Sequence, residues 1–155
     1  MYPTRRGTKP AHHYGVGTMS AHLTSPSDSV DRIDVSVPLR TANLATLRTI
    51  AASLGADAGF SIDEIDDVRL GLSEVLSALA EGTADGEPER VTASFVVRSG
   101  ELEIVVRSDR VRGGIELDDL AASILSSVVD HFETSGGEAT LVKRSTERGG
   151  SPTHE

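Results

Sequence analysis

Hydrophobic and polar positions alternate from Ile33: Ile33, Val35 and Val37 are separated by Asp34 and Ser36, the period of a half-buried strand, which Pro38 stops. The period then lengthens. Leu44, Leu47, Ala51 and Leu54 follow helical spacing, and Gly55 offers a left-handed cap. A second helix begins at Ser61, which with Glu64 forms a capping box in which hydroxyl and carboxylate each satisfy a free backbone N–H. Ile62, Ile65, Val68, Leu72, Val75, Leu76 and Leu79 then lay one apolar stripe along it. Turn residues make 82–88 (GTADGEP) a loop. Val91, Ala93, Phe95 and Val97 alternate, Ser99-Gly100 turns the chain, and Leu102, Ile104 and Val106 complete a β-hairpin. Leu117, Leu120, Ile124, Val128 and Phe132 mark a third helix, which Gly136-Gly137 breaks before a last strand, EATLVKR. The predicted order is strand, helix, helix, strand, strand, helix, strand. It fits an α/β (α+β) two-layer sandwich: a mixed sheet with helices on one face and a right-handed βαβ step through the third helix.

Composition divides the chain into parts. The 155 residues suit one domain at 31–145, with a hydrophobic fraction of 37% sufficient for a modest core. Residues 1–30, rich in Gly, Pro, Ser, Thr and His, read as a disordered arm, and 146–155 as a disordered tail. Met19 is a candidate alternative start to Met1. Arg5, Arg6 and Lys9 against Asp28 give the first 30 residues +2, so of the total charge of −9 the remainder carries −11. That surface repels phosphate backbones and suits a basic protein partner rather than nucleic acid. Cysteine is absent, which excludes disulfides, thiolate metal sites and a cysteine nucleophile. No run reaches the roughly 18 apolar residues that cross a bilayer, and no secretory signal opens the chain, so a cytoplasmic location is expected.

Chemistry-bearing residues are few. Glu74 and Ala78, four apart, face the same space beside the buried stripe of the second helix, so Glu74 is either a salt-bridged border residue or a site group. Asp109 follows a strand, where aspartate commonly forms turns. Asp66-Asp67 reads as exposed helix surface. His12 and His13 read as solvated, and His131 as a residue favouring the end of the third helix. Asp130 has no companions for a metal site, and no metal ligand set is assigned.

The segments VPLRTANLATLRTIAASLG and FSIDEIDDVRLGLSEVLSAL, the hairpin ending VVRSD, and the closing LVKR together resemble the GHKL, or Bergerat-fold, histidine-kinase-like ATPases. The resemblance covers Ile33 to Arg144 and points to the bacterial anti-sigma-factor serine kinases, which sequester a sigma factor and phosphorylate an anti-anti-sigma partner. It implies that Glu74 is the general base. The family's magnesium-binding asparagine falls at Ala78, whose methyl cannot coordinate a hard cation. In the adenine-reading motif D-x-G-x-G, Asp109 and Gly113 are retained as a vestigial cofactor site, and Val111 replaces the first glycine. The lid is reduced to Gly113-Gly114-Ile115. Glu116, Asp118 and Asp119 stand where phosphates would meet a helix N-terminus, no glycine occurs from Leu120 to Ser123, and Gly137 or its neighbour replaces an adenine-contacting threonine.

The resulting expectation is a regulatory module that binds a sigma factor or a STAS-type anti-anti-sigma protein, with ATP and Mg2+ binding weak or absent. The resemblance also implies a homodimer. The alternative is an active serine kinase of the same family, with Glu74 as base. A third reading is an unrelated small α/β ligand-binding domain.

Overall fold

The alternating segments pair into a single antiparallel sheet in a computed structural model that describes residues 30–81, 89–109 and 114–146. In chain order the elements are β1 (Asp31–Pro38), α1 (Thr41–Asp57), α2 (Ile62–Glu81), β2 (Arg90–Arg98), β3 (Glu101–Ser108), α3 (Asp119–Val128), β4 (His131–Ser135) and β5 (Glu138–Arg144). The strands lie in the order β1-β2-β3-β5-β4. Every neighbouring pair is antiparallel, so the α+β two-layer architecture stands, while the expected mixed sheet is corrected to an all-antiparallel one. The reason lies in β4. Helix α3 delivers the chain to β4, which runs parallel to β3, but β5 folds back between the two and separates them.

The third helix is shorter than its hydrophobic spacing predicts. It ends at Val128, and Val129 is already extended at φ −121°, ψ 155°. Two consecutive β-branched valines favour this change of backbone. Phe132 stays on the core side, but from a strand, opposite Leu141. Gly136-Gly137 is therefore the turn of a β4–β5 hairpin, and His131 sits on a strand rather than at a helix end. The cap of α1 also moves. Gly55 lies inside the helix, where an added Cβ would stand 3.2 Å from Phe60 Cδ2, and the left-handed turn falls to Gly59 at φ +87°.

The core lies between the helices and one face of the sheet. Leu47, Leu72, Leu76, Leu79, Phe95, Leu102, Ile104 and Leu125 are fully buried. Each contributes roughly 1.5–3 kcal/mol through burial of apolar surface. Helix α3 packs closely on α2 at Gly71, where a Cβ would come within 3.1 Å of Val129 Cγ1. Residues 1–29 of the predicted arm, the loop 82–88 and residues 147–155 lie outside the described residues. Thr146, placed in the tail by composition, is tied to the domain as described below.

Candidate functional site

Helix α2 carries the first candidate, and its start is built as the sequence dictates. Ser61 N donates to Glu64 Oε2 at 2.8 Å, and Glu64 N donates to Ser61 Oγ at 3.2 Å. Glu64 does more than cap. Its Oε1 accepts from Thr146 N at 2.7 Å and from Thr146 Oγ1 at 2.9 Å, and the residue is only 5% exposed. Bonds from the Thr146 and Ser61 backbone N–H groups outweigh burial and bring its carboxyl down from 4.5 to about 2. This carboxylate is committed to structure.

Glu74 differs in every respect. It is half-buried on α2, and it makes no hydrogen bond or ion pair among the described residues. Ala78, one turn further on, is also half-buried and packs against the core cluster. A methyl group therefore fills the position where the resemblance calls for an amide oxygen, and the donor set does not fit magnesium there.

The second candidate segment follows β3. Asp109 is an exposed turn residue, while Val111 and Gly113 lie outside the described residues. Ser108 just before Asp109 is buried, its hydroxyl donates to the buried Glu89 carboxylate, and its N donates to Gly137 O at 3.1 Å. On the other side of the loop, Ile115 N donates to Gly136 O at 3.0 Å and the Ile115 side chain enters the core. Gly114 has φ +100°, and a Cβ there would meet Gly136 O at 3.3 Å. Both ends of the segment are thus fastened to the β4–β5 turn. Of the shortened stretch Gly113-Gly114-Ile115, Ile115 packs into the core, while Gly113 lies outside the described residues.

The N-terminus of α3 is closed by its own side chain. Asp118 is the N-cap, and its Oδ1 accepts from Ala121 N at 2.7 Å. Glu116 and Asp119 flank it on the surface, and Leu120 is 69% exposed. A phosphate needs the N–H groups and the dipole field that this carboxylate already uses.

The structure places Glu74 on α2, Asp109 at the end of β3 and the acidic trio before α3, with no hydrogen bond or ion pair joining these groups among the described residues. Other candidates take structural roles. Asp130 Oδ2 accepts from Arg144 N at 2.6 Å, and Asp67 is not idle surface, because Lys143 Nζ bonds both its Oδ2 and Val128 O at 2.9 Å. Among the described residues no group of three or more acidic or histidine side chains could hold a metal ion. Sequence reading missed Glu89, Ser108 and the Thr146 contact, whose partners lie 19 and 82 residues away.

No protein-family model matches the chain, and no curated protein does. Solved structures do match in fold. The structure of the RsbU and RsbW domains of Rv1364c from Mycobacterium tuberculosis is 19% identical over 74% of this chain, with a TM-score of 0.53. This chain spans 32% of the length of that one. At such identity the likeness concerns the fold, and the five-stranded antiparallel sheet with three helices is consistent with the histidine-kinase-like fold that the sequence resemblance implies.

Proposed function

We propose that this chain is an anti-sigma-like regulatory protein that acts by holding a protein partner, a sigma factor or a STAS-type anti-anti-sigma domain, with ATP binding weakened or lost. The observation that carries this reading is the α3 N-terminus, where Asp118 Oδ1 occupies the N–H group that a phosphate would need. The Ala78 methyl supports it too, because a magnesium-triphosphate would lose a ligand there as well. The charge of −11 beyond residue 30 favours a basic protein surface over nucleic acid. Magnesium-ATP should leave the melting temperature of the purified chain unchanged. A ligand at 100 times its Kd stabilises a protein by about 2.7 kcal/mol, so a rise of several degrees would overturn the nucleotide part of the proposal.

One observation favours the kinase alternative: Glu74 is half-buried yet without a partner among the described residues, as a general base awaiting substrate would be. Transfer of labelled phosphate to a co-purified partner, abolished by Glu74→Gln, would establish that reading. Co-purification of neither a sigma factor nor an antagonist of one would count against both.

A further inference from the structure

Two glutamates are buried among the described residues, and the fold satisfies only one of them. The Glu64 carboxylate accepts three hydrogen bonds, from Ser61 N, Thr146 N and Thr146 Oγ1. Glu89 is 8% exposed, and its carboxylate accepts a single one, from Ser108 Oγ to Oε1. Its Oε2 has no hydrogen-bonding or charged partner among the described residues. Among those residues no side-chain nitrogen or oxygen is both fully enclosed and unbonded, so Oε2 opens to the surface.

Its position explains the burial. Glu89 stands one residue before β2, and alternation gives it the core-facing side of Val91 and Ala93. Ser108 lies across the ladder from Val91, which is fully buried. The neighbouring arginines do not serve the carboxylate. Arg90 turns to the other face and Ser36, donating through Nε to Oγ at 3.2 Å and through Nη2 to the carbonyl at 2.8 Å. Arg40 follows Leu39, whose N donates to Glu89 O at 2.7 Å, but it forms no ion pair among the described residues. Asp109, next to Ser108, is exposed and forms no ion pair among them either, so the local field is negative. A buried charge held by one neutral hydroxyl costs free energy that the fold does not recover. Ser108 needs only an acceptor, and an uncharged amide oxygen would serve it as well.

We propose that Glu89 and Ser108 form a recessed binding site for one guanidinium group, an arginine of the protein partner. The site rests on the reading above that the partner presents a basic surface. A guanidinium suits it in three ways. Its charge neutralises the carboxylate that the fold leaves half-satisfied. Its fork of N–H donors can reach Oε2 and the Ser108 hydroxyl oxygen together, and its weak hydration makes it the cation most readily buried. An anionic ligand would instead meet the carboxylates of Glu89 and Asp109. A partner with a neutral residue at that point would cover Oε2 and leave it unpaired, so the site selects as well as binds.

The test takes the full-length chain with N-acetyl-arginine amide as probe, followed through the backbone amide signals in NMR. The Leu39 and Ser108 N–H signals should move, with half-saturation in the low millimolar range. N-acetyl-citrulline amide, which has the same shape without the charge, should leave them in place. Glu89→Gln should weaken binding of the arginine probe by about tenfold or more. It should also raise the urea midpoint of the free chain, because the unpaired charge is gone and the acceptor for Ser108 is kept. A carboxylate with a purely structural role predicts a lower midpoint, and that result would overturn the proposal. So would the absence of any shift, equal binding of the two probes, or equal binding by Glu89→Gln. Binding that emerges only when Arg110 and Arg112 are both replaced by glutamine would show the chain's own arginines in the site, and would overturn it too. The probe is a small molecule, so its failure strikes this site alone, while the partner reading stands or falls on co-purification.

Discussion

Glu64 and Glu74 sit ten residues apart on α2, and the protein has treated them in opposite ways. Glu64 is buried, accepts from two backbone N–H groups and a hydroxyl, and has its carboxyl held near 2. Glu74 is half-buried and has no hydrogen-bonding or charged partner among the described residues. A buried carboxylate is tolerated only when its acceptors are satisfied, so partnership marks Glu64 as part of the fold. The absence of such commitments at Glu74 leaves it free for a ligand or a partner protein. The difference is one of commitment rather than of residue type, and it can be measured.

The largest effect is expected at Glu64. Replacing it with alanine leaves the Ser61 and Thr146 N–H groups without their acceptor and should lower stability by about 2–3 kcal/mol, read as a shift in the urea midpoint. The pH dependence follows from a carboxyl depressed in the folded state. At low pH the unfolded chain binds the proton more readily, so the stabilisation is complete above about 4.5 and is lost as pH falls toward about 2. The stability gap between the native chain and Glu64→Gln should shrink over that window. A gap that does not change would show that Glu64 is not the anchor.

A middle-sized effect is expected at Lys143, which ties α2 to the end of α3. Lys143→Met should cost about 1 kcal/mol, because Asp67 is 38% exposed and water can take over much of its solvation. The smallest effect belongs to Glu74: Glu74→Gln should stay within about 0.5 kcal/mol of the native chain by the same measurement. A loss above about 1 kcal/mol would place Glu74 among the structural carboxylates and erase the contrast with Glu64.

How far the sequence could be read follows the same division between local and distant partners. The capping box at Ser61 was legible because its two residues are three apart, and the β2–β3 hairpin because Ser99-Gly100 sits between two alternating runs. Asp118 was legible as a helix-start acid. The Glu64–Thr146 and Asp67–Lys143 contacts span 82 and 76 residues, and no periodicity reports them. The misreading of β4 has another cause. Phe132 follows Val128 by four residues, so helical spacing carries past the real end of α3, and only the Val128-Val129 pair and Asp130 hinted at the break. The missing fifth strand made the sheet look mixed. At the candidate site the substitution at Ala78 was visible in sequence, whereas the fastening of Ser108 and Ile115 to one turn depends on which hairpin lies beside them.

The Glu64 contact also sets how the protein bears load. Thr146 is hydrogen-bonded to the first turn of α2, and Ser145 N donates to Gly100 O at 2.9 Å. A pull on the C-terminus is therefore resisted first by these bonds, before any tension reaches β5. Force would pass into the helix layer as well as the sheet, and a strand that lies next to the sheet edge would be shielded from peeling as long as one carboxylate keeps its charge.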